Sequence, residues 1–431
     1  MWLLWAAIAV SVAVVLRYCA CTPLPCAIGQ QWKLLLLDAL LKTAIRLVKD
    51  NSTIVQGSPH HTRSPVRVME RLGLGRHVKA TRRSSKVPEA TVKKSTAEPG
   101  AGFLTVSDVA FDGVPVRVYQ PLTASEDRLR RGLLYIHGGG WAYGSAKDGA
   151  YDRGSCKMSK ELNMVVVSVD YRLYPETRFP TPYLECLTAA KRFLSPGVLA
   201  EYGVDPERVA ISGDSAGGNL AAALAQEIAM DDSVRVKFSV QALIYPALQA
   251  LDFNTPSYQQ NRDMVILNRP LMVQFWLQYL GGDLSLKPHL LANEHSFNVA
   301  PEFRAGLDWT ALLLPEHQKD YFPVRGEGPR GMERILDEVP GLLDVRAAPL
   351  LAGREVLAKC PRAYVMTCEY DVLRDDGLMY ARRLRDAGVE VTAEHHRDGF
   401  HGCFTLTAWP FEFDVGVRAF ADYVRWLRDN L

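Results

Sequence analysis

Apolar positions along this chain fall into two regimes. The first is one block at the amino terminus, residues 2–16 (WLLWAAIAVSVAVVL), without a charge. As a helix rising ~1.5 Å per residue it would run roughly 22 Å, short of a ~30 Å hydrocarbon core. Trp2, Trp5 and Tyr18 bracket it with rings suited to a membrane interface, Arg17 can snorkel, and the following RYCA extends the span. A cleaved signal peptide is the rival, but no basic residue precedes the run, and cuts after Ala20 or Ala27 would place Tyr18 or Pro25 at the −3 position. Residues 1–22 therefore read as an uncleaved signal anchor. Residues 32–49 follow as an amphipathic helix, with Lys33, Asp38, Lys42, Arg46 and Lys49 along one polar face. Such a helix packs on the protein body, lies against a membrane or lines a substrate entrance. From His60 to Gly100 the chain turns to Pro, Ser, Thr and basic residues, so 23–100 reads as this helix plus a basic linker or lid.

The second regime begins after Gly100. Short β-branched or continuously apolar runs recur at 116–120, 132–137, 163–170, 208–213, 240–246, 363–371 and 390–396. Helical patterns lie between several of them, notably 216–230 (AGGNLAAALAQEIAM) and 378–388 (LMYARRLRDAG). Buried strands alternating with helices predict an α/β protein with a mostly parallel central sheet flanked by helices. The stretch from Pro246 to Ala363 breaks that rhythm and is too long for a bare loop. It predicts a helical cap insertion over 251–345, dividing the α/β core into 101–250 and 346–431.

Composition narrows the function classes. Across 431 residues, 50 Lys and Arg against 48 Asp and Glu leave a net charge of +2, which gives no basic footprint for nucleic acid. Cys19, Cys21 and Cys26 have no second cluster to complete a zinc site, so no metal and no cofactor is expected. Arg17 and Lys33 lie after the anchor and weakly favour a cytosolic body, although long domains translocate largely regardless of charge. Asn51 heads an NST sequon, a glycosylation acceptor if it faces a lumen.

The candidate chemistry sits at ISGDSAGGNL, residues 211–220. An apolar strand, a glycine-rich turn and an alanine-rich helix meet at Ser215, the setting in which G-x-S-x-G forms a nucleophile elbow rather than a chance match. A serine hydroxyl is a weak nucleophile and needs a base held by an acid. In this architecture the acid and then the histidine follow in the chain. Asp371 is the first loop carboxylate of TCEYDVLRDDG (367–377), which follows a strand-like run, and His401 sits in the glycine-flanked GFHG. Glu369, Asp375 and Asp376 are rival acids, the last two accounted for by helix N-capping. His395 and His396 belong to the preceding strand-like run and read as packing or surface residues. HGGGW (137–141) ends another strand-like run and supplies inward-turning backbone N–H groups, so Gly138 and Gly139 are assigned, with Ala216, as oxyanion-hole donors. His137 precedes the nucleophile and reads as a brace for that loop.

With these motifs in place, HGGGW, DYRLYPE (170–176), GDSAGGNLAAAL (213–224), YDVLRDDG (370–377) and DGFHG (398–402) resemble the hormone-sensitive-lipase branch of the α/β-hydrolases. QALIYPALQALDFNTPSYQQN (241–261), VRAAPLLA (345–352) and WKLLLLDA (32–39) are similar to its arylacetamide deacetylase group, while 54–100 departs from that pattern. The resemblance implies an α/β-hydrolase fold and a Ser215–Asp371–His401 triad. It also implies a single-pass anchor in the endoplasmic reticulum membrane with a lumenal catalytic domain, and apolar ester substrates such as cholesteryl esters and acetylated monoalkylglycerol ethers. Where relatives carry a further sequon, this chain has Asp308. An amidase acting on aryl amides and xenobiotic esters is the competing enzyme reading. A catalytically silent binding protein is the third, and retention of all three triad candidates argues against it.

Overall fold

The computed structural model describes residues 22, 24–40, 42, 104–122, 129–296, 299–319, 321 and 333–431. The apolar run 2–16, the sequon at Asn51 and the basic stretch 60–100 lie outside the described residues. Among those described, no helix is long and apolar enough to cross a membrane.

Eight strands form one sheet: β1 (Leu104–Phe111), β2 (Val114–Pro121), β3 (Arg130–Ile136), β4 (Val165–Val169), β5 (Val204–Asp214), β6 (Val240–Ile244), β7 (Arg362–Tyr370) and β8 (Val391–Phe400). Their order is β1-β2-β4-β3-β5-β6-β7-β8. Pairing is antiparallel from β1 to β2 and from β2 to β4, and parallel from β4 onward. The parallel strands carry continuous apolar runs because both of their faces are covered: every residue of β4 and β6 is buried.

The sequence pattern foresees seven of these strands and misses β1. That strand is an edge, mostly half-exposed, so it lacks the buried run that marks the others. Its signal lies in the turn instead, where Asp112 (φ 47°) and Gly113 (φ 86°) form the Asp-Gly corner of a hairpin.

Among the described residues after β1, six longer helices follow: α1 (Gly149–Leu162), α2 (Thr181–Phe193), α3 (Ala216–Met230), α4 (Arg269–Leu280), α5 (Arg374–Asp386) and α6 (Asp414–Asn430). Helices α2, α3 and α5 share one apolar core with one sheet face, and α1 and α6 share another with the opposite face. Between β6 and β7 the described chain holds no strand, only α4 and helical turns of three to six residues. Helix α4 is fastened to the glycine loop after β3, with Trp141 stacked on Tyr279 at 4.3 Å and tilted against Trp276 at 4.7 Å.

Of the helix expected over 32–49, residue 41 and residues 43–49 lie outside the described residues; 31–40 are helical, and Leu34, Leu35 and Leu37 seat them on the α1/α6 core. One position departs from the predicted polar face. Asp38 is buried, where it accepts the Ile266 N–H at 3.0 Å and pairs with Lys42 at 2.7 Å. A backbone donor inside the protein draws the carboxylate inward.

Candidate active site

Strand β5 ends at Asp214 and α3 begins at Ala216, so Ser215 alone turns the chain between them. It does so at φ 55° and ψ −118°, a conformation that a side chain adopts only under constraint. The constraint is visible: Ser215 N–H donates to the Ile244 carbonyl on β6 at 2.9 Å. Two residues on, a Cβ at Gly217 would lie 2.0 Å from the Ile136 carbonyl oxygen. Only glycine lets α3 start that close to β3, which lifts the serine hydroxyl to the carboxyl edge of the sheet.

Strands β7 and β8 deliver the other two groups to the same edge. Asp371 follows β7 directly, and His401 follows β8, which runs to Phe400 through a bulge opposite Cys368–Tyr370. His401 Nδ1–H donates to Asp371 Oδ2 at 2.8 Å. That bond fixes the tautomer and leaves Nε2 to accept the Ser215 hydroxyl proton at 2.9 Å. The second oxygen of buried Asp371 accepts the Leu373 N–H at 2.9 Å. From the far side Asn261 Nδ2 donates to the carbonyls of Glu369 and Asp371, at 3.0 and 3.1 Å, and the Tyr245 ring backs the imidazole at 4.8 Å.

The rival acids are engaged elsewhere. Glu369 accepts from His395 Nε2 at 2.9 Å and pairs with Arg374 at 2.7 Å; the His395 hydrogen bond, joined by Arg374, holds its carboxyl down at about 2. Asp375 and Asp376 lie in the first turn of α5 but do not cap it. Asp375 accepts the Ser257 N–H at 2.6 Å, and Asp376 accepts the Leu248 N–H at 2.9 Å, so both stitch the chain after β6 to the helix. His395 also meets the Thr367 hydroxyl at 2.9 Å, so of the two expected roles it takes the packing one, within this polar cluster.

The glycine loop differs from expectation at one donor. Gly138 N–H points at Asp214 Oδ1, 2.9 Å away, with Tyr151 Oη at 3.2 Å, so it is already committed. Among the described residues, the N–H groups of Gly139, Gly140 and Ala216 are committed to no protein acceptor. Gly139 (φ 106°) and Gly140 (φ 60°) turn the loop back on itself, and the Phe275 ring of α4 lies against Gly140. His137 is the expected brace: its Nδ1 meets the Gly138 carbonyl at 2.8 Å, and its ring stacks on Tyr171 at 4.5 Å. Burial pushes its imidazole pKa down.

Asp214 is the residue that sequence reading passed over. It is buried and accepts from Tyr135 Oη at 3.0 Å, Tyr151 Oη at 3.1 Å and Gly138. Burial raises its carboxyl to about 6, with those hydrogen bonds opposing the rise. A carboxylate closing the strand-like run RVAISG, directly before Ser215, was the available signal. Asn261 and Tyr151 carried none, because their partners lie 110 and 63 residues away in the chain.

Among the described residues, Glu394, His396 and Asp422 present ligand-type atoms within 4.8 Å of one another. They join β8 to α6 and make no contact with Ser215.

Comparisons with known proteins agree with this architecture. A family profile described as alpha/beta hydrolase fold matches residues 133–305 and 311–405. Neutral cholesterol ester hydrolase 1 of Bos taurus is 46% identical, covering 95% of each chain. Arylacetamide deacetylase of Oryctolagus cuniculus is 41% identical, covering 97% of this chain and 98% of its own. The crystal structure of EstE1, a thermophilic carboxylesterase cloned from a metagenomic library, superposes with a TM-score of 0.57 at 29% identity, over 79% of this chain and 91% of that one. The chain belongs to the alpha/beta hydrolase family, in the group of neutral cholesterol ester hydrolase and arylacetamide deacetylase, and is a carboxylic ester hydrolase.

Proposed function

We propose that the protein cleaves carboxylic esters of apolar lipids, cholesteryl esters and acetylated monoalkylglycerol ethers among them, through an acyl-enzyme on Ser215. The observation that carries the mechanism is the hydrogen-bond chain from the Ser215 hydroxyl through His401 to Asp371. Ser215 Oγ attacks the ester carbonyl while His401 Nε2 takes its proton, and Asp371 holds the resulting imidazolium. The oxyanion forms against the N–H groups of Gly139, Gly140 and Ala216. His401 then returns the proton to the leaving alcohol. Water repeats the sequence on the acyl-serine, releasing the acid and restoring the hydroxyl.

An apolar substrate is supported by the neutral cholesterol ester hydrolase relatives and by the walls beside the glycine loop. Tyr143 and Phe275 meet there edge to face at 6.1 Å. In this reading 251–345 acts as a cap over the acyl or sterol group. Cleavage of aryl amides by the same machinery is the second reading, supported by the similarity to arylacetamide deacetylase.

We also propose that residues 1–22 anchor the chain in the endoplasmic reticulum membrane with the catalytic domain lumenal. Trp32 and Trp409 support contact with a lipid surface, at 64% and 88% exposure. Loss of an endoglycosidase-sensitive mobility shift in Asn51→Gln is the expected sign of lumenal orientation; an unglycosylated wild type overturns it.

The deciding experiment measures hydrolysis of a cholesteryl ester, an acetyl ether lipid and an aryl amide side by side, with Ser215→Ala as the control. The ester lipids are expected to turn over fastest and the variant to be inert. Equal rates on the amide remove the lipid preference, and unchanged hydrolysis by the variant removes the mechanism.

A further inference from the structure

Two cysteines that the chemistry does not use face each other beside the site. Cys368 lies in β7, three residues before Asp371, and Cys403 opens the short turn Cys403–Thr405, two residues after His401. Both are fully buried, and their sulfurs are 3.7 Å apart. The surrounding space is closed: a Cβ at Gly399 would lie 2.8 Å from Cys368 Sγ, and one at Gly416 would lie 2.2 Å from the Cys403 carbonyl oxygen. The two thiols thus face each other in a closely packed part of the core.

We propose that Cys368 and Cys403 form a disulfide that staples the loop carrying His401 to the strand carrying Asp371. Sulfurs 3.7 Å apart must approach by about 1.6 Å to reach a bond of ~2.05 Å. The pair lies 35 residues apart in sequence, so the bond closes a long loop and restrains the unfolded chain substantially. In the reaction the two thiols give up two protons and two electrons to a small-molecule disulfide such as oxidised glutathione. Its S–S bond breaks as the Cys368–Cys403 bond forms, and two small thiols leave.

Burial pushes the Cys368 thiol pKa well up, so the pair reacts only when the 399–406 segment opens or while the chain folds. Once made, the bond is shielded from bulk reductant in the same way. Formation of the bond stands on the cysteine geometry alone. Its effect on turnover rests on the proposed roles of Asp371 and His401, and an oxidising lumen would supply the oxidant.

The test uses the full chain in detergent, equilibrated in oxidised or reduced glutathione with brief warming, then denatured in an alkylating agent. Non-reducing digestion and mass spectrometry are expected to show a Cys368–Cys403 linked peptide in the oxidised sample only. Alkylation of both cysteines at every glutathione ratio overturns the bond. The oxidised enzyme is expected to hold its activity longer on heating, with a midpoint on the order of 5 °C higher than the reduced enzyme. Cys403→Ala is expected to lose that difference. A linked peptide with identical heat inactivation of the two forms overturns the staple. Fluorophosphonate labelling of Ser215, run on both samples, reports separately on the nucleophile.

Discussion

Asp214 and Gly138 are joined by a hydrogen bond of 2.9 Å, so the residue before Ser215 holds the glycine loop that follows β3. The same carboxylate accepts from Tyr135 and Tyr151, which ties β3, α1 and the elbow to one buried point. The arrangement fixes where Gly139 and Gly140 present their N–H groups. In the proposed mechanism these are the oxyanion donors, and such donors must already point at the developing charge.

Asp214→Ala is expected to lower kcat by about 10²-fold with little change in KM, the cost of a loop displaced by about 1 Å from productive geometry. Steady-state kinetics on a soluble ester check this. An unchanged kcat would show that the loop holds its shape without the carboxylate.

The same residue sets a pH dependence. Its folded pKa of about 6 lies above the ordinary 3.8, so the folded state binds the proton more tightly than the unfolded chain. That stability is fully present below pH 3.8 and is lost as pH rises through 6. Wild-type Tm, relative to Asp214→Asn, is expected to fall across that window and then level off. A flat difference curve removes the assignment.

Asp371→Asn is expected to reduce kcat by about 10⁴-fold, because an amide no longer selects the Nδ1–H tautomer of His401. Glu369→Gln is expected to leave kcat within a few fold, since Glu369 serves His395 and Arg374 instead. The opposite ranking would move the acid to Glu369.

Gly140→Ala is expected to cost about 10²–10³ in kcat, the typical loss of one oxyanion donor. Its Cβ would meet the Phe275 ring at 2.7 Å, at a φ of 60° that side chains resist. Circular dichroism alongside the kinetics separates a displaced donor from a collapsed fold.

Asp38→Ala tests the amino-terminal helix. Ile266 sits at φ 68°, an unusual conformation for a β-branched residue, with its N–H held by Asp38. Removing that acceptor leaves a part-buried donor unpaired, an expected loss of about 1 kcal/mol. Chemical denaturation checks the size, and an unchanged midpoint would place the helix outside the cooperative fold.

Much of this was written locally. The buried strands announce themselves as β4 and β6 do, because a strand covered on both faces must be apolar throughout. The elbow announces itself because Ser215 needs glycine at 217, where Ile136 leaves no space for a side chain. The order of serine, acid and histidine follows from the order of strands along one sheet edge.

Other features depend on distance in space alone. Gly138 and Gly139 look alike in HGGGW, yet Asp214 takes the N–H of the first and leaves that of the second uncommitted. Asp38 looks like one more solvent-facing charge until the Ile266 N–H arrives from 228 residues away to bury it. Strand β1 shows little because an edge strand need only be half apolar. Local sequence determines which backbone shapes and which chemical groups this protein has. Only folding decides which polar groups become partners, since a hydrogen bond is settled within about 3 Å and the chain holds no record of who will arrive there.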